Sequence, residues 1–188
     1  ATTFAVMQFL FGPTIGSISD RFGRRPVLLI ALVVMSFDYV LMAIAGTIWA
    51  LLIHPEQRAK IEQGEATWLD AFEEYARWMS PIGMSPRRVA QPYDFNGVAF
   101  APEDRVLLMF SSGNRDEAVF ANPDEFDVSQ DCTPAISFGA GPHFCAGAWI
   151  SKCLIAEVVL PKLFARFRGL RLDGEVPFGG WAFRGPLS

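Results

Sequence analysis

Histidine and cysteine are scarce. The 188 residues hold two histidines, His54 and His143, and three cysteines, Cys132, Cys145 and Cys153. Two histidines so far apart exclude a histidine-built zinc site. Three cysteines with no Cys-x-x-Cys pair exclude an even disulfide framework and point to free thiols in a reducing compartment. A surplus of positive charge is missing too. The net charge of −4 leaves no basic surface for non-specific nucleic-acid binding, so no nucleic-acid partner is expected. The front is almost free of charge: residues 1–50 carry only Asp20, Arg21, Arg24, Arg25 and Asp38, against thirteen basic and eighteen acidic residues in the remainder. The two stretches read as different kinds of protein. The basic start and small-residue cleavage site of a signal peptide are lacking. No methionine opens the chain, so the short apolar stretch Phe4 to Ile18 is expected to be a helix that has lost its beginning.

What is present centres on Ser137-Phe138-Gly139-Ala140-Gly141-Pro142-His143-Phe144-Cys145-Ala146-Gly147. Gly139 and Gly141 lack a Cβ, so the chain is free to turn sharply and lie close to a flat ligand. Cys145 stands before the apolar run Ala146 to Phe167, which is expected to be a helix. The positive end of a helix favours thiolate over thiol. A thiolate so presented suits a soft or borderline metal, haem iron among them. A buried free cysteine at a helix start is the plainer alternative.

The order Phe-Gly-x-Gly-x-His-x-Cys-x-Gly resembles the cysteine-ligand loop of the cytochrome P450 family. The resemblance implies that Cys145 is the axial ligand of haem b and that His143 lies beside a propionate. It also places Phe138 near the sulfur and lets Gly139 carry the loop under the ring. Glu74 and Arg77, three apart on the helix expected over Thr67 to Met79, match the family's Glu-x-x-Arg ion pair, which is structural. Leu69, Phe72, Ala76 and Met79 are read as the apolar face of that helix. A surface pair at this spacing would contribute well under about 1 kcal/mol. The third partner that the family draws from its meander is unassigned, because Glu125 stands in Pro123-Asp124-Glu125-Phe126-Asp127 where a base is often found. Arg88, with Arg87 as the alternative, matches the arginine that binds a propionate; guanidinium and carboxylate fit in a planar, two-pronged way.

The front carries a second resemblance. Val27 to Ile53 is almost wholly apolar, with Asp38 its only charge. About 20 such residues span a bilayer as a helix. Gly16, Asp20, Arg21, Gly23, Arg24 and Arg25 match the Gly-x-x-x-Asp-Arg-x-Gly-Arg-Arg loop of major facilitator transporters. Asp38-Tyr39 is similar to tetracycline exporters of that family. The arginines point the loop toward the cytoplasm. Ala45-Gly46-Thr47 continues the membrane helix. It is also similar to the start of the P450 oxygen-binding helix, but Ile48 and Trp49 replace the acid and threonine that follow there.

Elsewhere, Tyr93-Asp94-Phe95 and Val98-Ala99-Phe100 around Asn96-Gly97 predict a hairpin, Val106 to Phe110 a strand, and Leu170 to Ser188 short strands around Asp173-Gly174 and Gly179-Gly180. Pro161 is placed to bend or cut the helix after Cys145.

The expected fold is mainly α with small β-sheets, a partial P450 fold over residues 51–188, preceded by a transmembrane helical hairpin over residues 1–50. The expected function is that of a haem-thiolate monooxygenase fragment, hydroxylating an unknown apolar substrate with electrons from a ferredoxin-type donor. No residue is assigned a catalytic role, and activity is expected to be impaired because the oxygen-activating helix and the substrate roof are missing. The whole reads as a chimera held at a lipid bilayer by its front, with the remainder cytoplasmic, or as a cytoplasmic protein if the front is artefactual. The alternative is a truncated efflux transporter carrying a passenger.

Overall fold

The computed structural model describes residues 20, 21, 23–179, 185 and 186, and the side chains of all of these except 31, 32, 34–37, 178, 179, 185 and 186. The apolar stretch Phe4 to Ile18, Gly16 of the loop motif and Gly180 lie outside the described residues. The chain divides into two compact units, Ala1–Leu41 and Met42–Ser188.

In the first unit, Asp20, Arg21, Arg24 and Arg25 are exposed, and Gly23 takes a positive φ of 87° just before helix α1, Arg24–Ile53. Leu28, Leu29, Ile30 and Val33 are exposed along it. Among the described side chains no single helix is long and apolar enough to cross a membrane. The span from Asp38 to Ile53 qualifies only together with Pro55–Glu62, across a bend of 100°.

The end of α1 corrects the membrane reading of Ala45-Gly46-Thr47. Gly46, Thr47, Ala50 and Leu51 recur at the spacing of one helix face and are all buried. Their cover is protein. A Cβ on Gly46 would sit 1.8 Å from the Tyr75 hydroxyl oxygen, and the rings of Trp49 and Trp78 stack at 6.0 Å. Thr47 spends its hydroxyl on the Ala43 carbonyl at 2.7 Å, so its own polar group is satisfied.

Pro55 cannot donate a backbone hydrogen bond, and α1 stops at Ile53. The same proline opens α2, Pro55–Glu62, at a position where its missing N–H costs nothing. Helix α3, Trp68–Met79, begins with a reciprocal cap: the Asp70 N–H donates to Thr67 Oγ1 at 3.1 Å, and the Thr67 N–H donates to Asp70 Oδ2 at 2.7 Å. Ala71, Phe72, Glu74, Tyr75, Ala76 and Arg77 are all buried. The single apolar stripe through Leu69 and Met79 was too narrow an expectation, since Leu69 is exposed and α3 is enclosed on more than one side. Ser80 ends it in the left-handed region at φ 46°.

The expected hairpin is present as β2, Tyr93–Phe95, against β3, Val98–Phe100, with Asn96 and Gly97 both at positive φ as a tight twisted turn requires. It is separate from the antiparallel pair formed by β1, Ser85–Arg88, and β4, Arg105–Leu108. The strand expected through Phe110 ends at Leu108, because Phe110–Gly113 forms the short helix α4. Strands β5, Phe178–Gly179, and β6, Gly185–Pro186, pair near the C-terminus, whereas Asp173-Gly174 forms a bend.

After the cysteine loop the chain stays helical through α5, Ala148–Lys152, a π-helical stretch, Cys153–Val159, and α6, Leu160–Arg166. Pro161 does not cut it. A proline ring crowds the carbonyl four residues earlier, and wider π turns immediately upstream relieve that contact. Ala148, Ile155, Ala156, Leu160 and Phe164 are buried, and the π-helical stretch packs on α3. Trp149, Ile150, Leu154 and Val158 are exposed, so the run is apolar on two sides.

Candidate functional site

The site is built on a buried ion pair. Glu74 and Arg77 are both 0 % exposed, which overturns the expectation of a weak surface pair. Arg77 Nε and Nη2 bond the two Glu74 oxygens at 2.7 Å each. The remaining Arg77 donors go to the backbone carbonyls of Asn114 at 2.9 Å, Pro123 at 2.9 Å and Glu125 at 3.0 Å. All five guanidinium N–H groups are thereby engaged. A charge in a low-dielectric interior is tolerable only when its hydrogen bonds are complete, and here they are.

The arm left unassigned by the sequence is filled without a base. The Asp127 N–H donates to Glu74 Oε1 at 3.0 Å, and the Cys132 thiol approaches Glu74 Oε2 at 3.4 Å. Glu125 contributes only its backbone. Burial pushes the Cys132 thiol up, and the Glu74 charge beside it pushes it further, so Cys132 is a neutral donor rather than a nucleophile.

Outside this network, Lys60 Nζ bonds Asp127 Oδ1 at 2.7 Å and Ser129 Oγ at 3.0 Å. Burial alone would raise the Asp127 carboxyl. The Lys60 hydrogen bond and the Ser129 N–H outweigh it and hold the group below its ordinary value. A depressed carboxylate contributes stability above its unfolded pKa, near 3.9, that disappears as pH falls through the folded value. With 43 % of the Asp127 side chain exposed, the contribution is at most about 1 kcal/mol. Asp127→Asn is expected to lower the urea midpoint slightly at pH 7 and to converge with the parent as pH falls through the depressed folded-state value. A constant difference across that window would show that the charge is not the cause.

The cysteine loop is held by its own backbone. The Cys145 N–H donates to the Phe138 carbonyl at 2.8 Å, and the Phe144 N–H to the Gly141 carbonyl at 3.0 Å. Gly139 and Gly141 have φ of 74° and 59°, which side-chain-bearing residues rarely adopt. A Cβ at Gly139 would also press on the His143 carbonyl oxygen at 3.1 Å. His143 ends a short 3₁₀ turn, Gly141–His143, and is exposed. The Phe138 ring packs on Phe72 at 6.0 Å and lies beneath Lys152 Nζ at 5.4 Å, while Lys152 also pairs with Glu73.

Cys145 is exposed, which removes the plainer reading of a buried core cysteine. The helix starts at Ala148, three residues beyond it, and the Ala148 N–H bonds the Cys145 carbonyl at 3.1 Å. A shallow cavity of about 290 Å³ nearby is lined by Glu73, Cys132, Phe138, Phe144 and Lys152, and Cys145 is not among its walls. Arg88 and Arg87 are adjacent on β1, so they project to opposite faces. Arg88 is engaged by Glu103 at 2.8 Å.

No three His, Cys, Asp or Glu side chains converge on a metal-ion position among the described residues. A lone, open thiol on a glycine-relaxed loop fits a metal that arrives with its other ligands already in place. A macrocycle provides that.

The profile of the family described as Cytochrome P450 matches residues 69–177. This chain belongs to the cytochrome P450 family. It is 32 % identical over 143 residues to the biotin biosynthesis cytochrome P450 of Bacillus subtilis (strain 168), covering 76 % of this chain and 36 % of that protein. It is 34 % identical over 143 residues to the 6-deoxyerythronolide B hydroxylase of Saccharopolyspora erythraea, covering 76 % and 35 %. The structure of CYP154A1 from Streptomyces coelicolor A3(2) superposes with a TM-score of 0.76 at 26 % identity, over 90 % of this chain and 46 % of that one. The chain thus spans about a third of the length of these two curated relatives, and its fold is P450-like, mainly helical with small sheets. The P450 family implies a haem iron cofactor.

Within this P450 unit, Glu74, Arg77, Phe138, Gly139, His143 and Cys145 lie on α3 and the loop packed on it through Phe72 and Phe138, while Arg88 stands on a separate strand pair. Sequence reasoning missed Asn114 and Cys132. Nothing in the pattern marks a single asparagine or a lone thiol as a hub, because the partners of Asn114 are a guanidinium, a backbone N–H and two serine hydroxyls, and that of Cys132 is one carboxylate oxygen, all distant in sequence.

Proposed function

We propose that residues 51–188 are the haem-binding region of a haem-thiolate monooxygenase, with Cys145 as axial ligand to haem b. The observation that carries this is the open Cys145 thiol on a loop whose two glycines hold positive φ. When bound, the haem supplies the iron at which oxygen is activated for hydroxylation of an apolar substrate. The chain's residues hold and orient it. Cys145 Sγ ligates the iron, His143 and Arg88 (or Arg87) take propionates, and Phe138 packs near the sulfur. Gly139 keeps the backbone clear of the ring. Arg88 would exchange Glu103 for a propionate, a change of partner that leaves its charge paired. Glu74 and Arg77 act on the scaffold. The electron donor is of ferredoxin type.

The purified chain mixed with haem, reduced and treated with carbon monoxide, is expected to give the red-shifted Soret band of thiolate ligation, and Cys145→Ala to lose it. Absence of that band in the parent chain would overturn the reading.

A second reading concerns residues 1–50, as a major facilitator fragment anchored in a bilayer with the rest in the cytoplasm. Exposed Leu28, Leu29, Ile30 and Val33 favour it. Recovery of the expressed chain from membranes by detergent but not by alkaline carbonate would support it. Recovery in the soluble fraction would end it, together with the chimera.

A further inference from the structure

Asn114 is 0 % exposed and joins by hydrogen bonds two parts of the site whose other side-chain contacts are the Phe72–Phe138 ring packing and Lys152, which reaches both Glu73 and Phe138. Its carbonyl accepts from Arg77 Nη1 at 2.9 Å, tying it to the buried ion pair. Its side chain faces the other way. Oδ1 accepts the Ile136 N–H at 2.8 Å, and Nδ2 donates to Ser137 Oγ at 3.1 Å and to Ser80 Oγ at 2.9 Å. Ser80 in turn donates its hydroxyl proton to the Arg77 carbonyl at 2.9 Å. Every polar atom of the Asn114 amide is used, and the partners fix its orientation, since only the oxygen can accept from an N–H.

Ile136 and Ser137 are the root of the cysteine loop. The Ile136 carbonyl accepts the Gly139 N–H at 2.9 Å, and Phe138, the next residue after Ser137, accepts the Cys145 N–H at 2.8 Å. A continuous path therefore runs from Glu74 and Arg77 through Asn114 to the backbone that holds Cys145. We propose that Asn114 is the positioning residue of the thiol: it transmits the rigidity of the α3 ion pair to the loop and fixes where Cys145 is presented. The consequence for haem rests on the haem-thiolate reading; the positioning of the loop does not.

The test is residue-resolved amide hydrogen exchange on the full chain without haem. Asn114→Ala is expected to speed exchange at Ile136 and Cys145 by about tenfold while Ala71 to Ala76 in α3 keep their rates. Ser137→Ala removes one bond and keeps the hub, so a smaller rise is expected at the same two amides. It also serves if Asn114→Ala does not fold. A role confined to general stability would speed α3 and the loop by the same factor, and that result, or an unchanged loop in both variants, overturns the proposal. In haem-loaded samples Asn114→Ala is expected to split the thiolate Soret band toward its unligated position. A parent chain that takes no haem removes this last comparison and the ligand reading with it, while hydrogen exchange still decides the role of Asn114.

Discussion

Arg77→Ala is expected to unfold the chain at room temperature or to bring it to the edge of unfolding. The substitution deletes five hydrogen bonds and leaves the Glu74 carboxylate, itself 0 % exposed, without its cation. Removing one member of a buried pair typically costs about 3–5 kcal/mol, against roughly 5–15 kcal/mol of total stability for a domain. Most of the loss comes from the stranded charge, so Glu74→Gln together with Arg77→Met is expected to cost less than Arg77→Ala alone. Arg77→Lys is expected to recover little, because a single ammonium cannot reach three carbonyls and a carboxylate from one fork. Urea unfolding followed by far-ultraviolet circular dichroism measures all three. A midpoint shift worth under about 1 kcal/mol for Arg77→Ala would mean the pair behaves as an exposed one.

Gly46→Val is the second large effect. The new Cβ alone would lie 1.8 Å from the Tyr75 hydroxyl oxygen and 2.1 Å from Cζ, and Tyr75 is fully buried. Overpacking of this kind costs about 1–3 kcal/mol, and the added methyls place valine at or above the upper end. Tyr75 carries a second liability: its hydroxyl has no hydrogen-bond partner among the described residues, and burial holds it far above the ordinary tyrosine range. Truncating Tyr75 to leucine should relieve most of the clash, so the double variant is expected to be less destabilised than the two single effects predict together. The result also separates two views of this helix. Along a lipid-facing helix the same change would be nearly silent, whereas against Tyr75 it is severe.

Much of the site was legible because it is written in local spacing. Phe138 to Gly147 encodes its turns through glycine, and Glu74 and Arg77 meet because residues three apart share a helix side. The hairpin around Asn96-Gly97 is legible for the same reason, its chemistry being local. What escaped is carried by distant partners. Asn114 is joined to Ile136 and Ser137 across more than twenty residues, and Cys132 to Glu74 across 58. The end of α1 was misread for a different reason. Gly46, Thr47, Ala50 and Leu51 are small or apolar, and a helix enclosed by protein has the composition of one enclosed by lipid. The approach of Tyr75 to Gly46 and the stack of Trp49 on Trp78 tell them apart. The depth of the ion pair was equally invisible, since burial of α3 on several sides depends on elements from all over the unit.

The helical run from Ala148 to Arg166 has one apolar flank against α3 and another, through Trp149, Ile150, Leu154 and Val158, facing outward. An oily stripe of that kind is a glue. As the chain is concentrated, molecules will find one another through it, and a mild detergent or a hydrophobic dye will compete for the same ground. Handling of this protein at the bench will be governed by that strip before any question of chemistry arises.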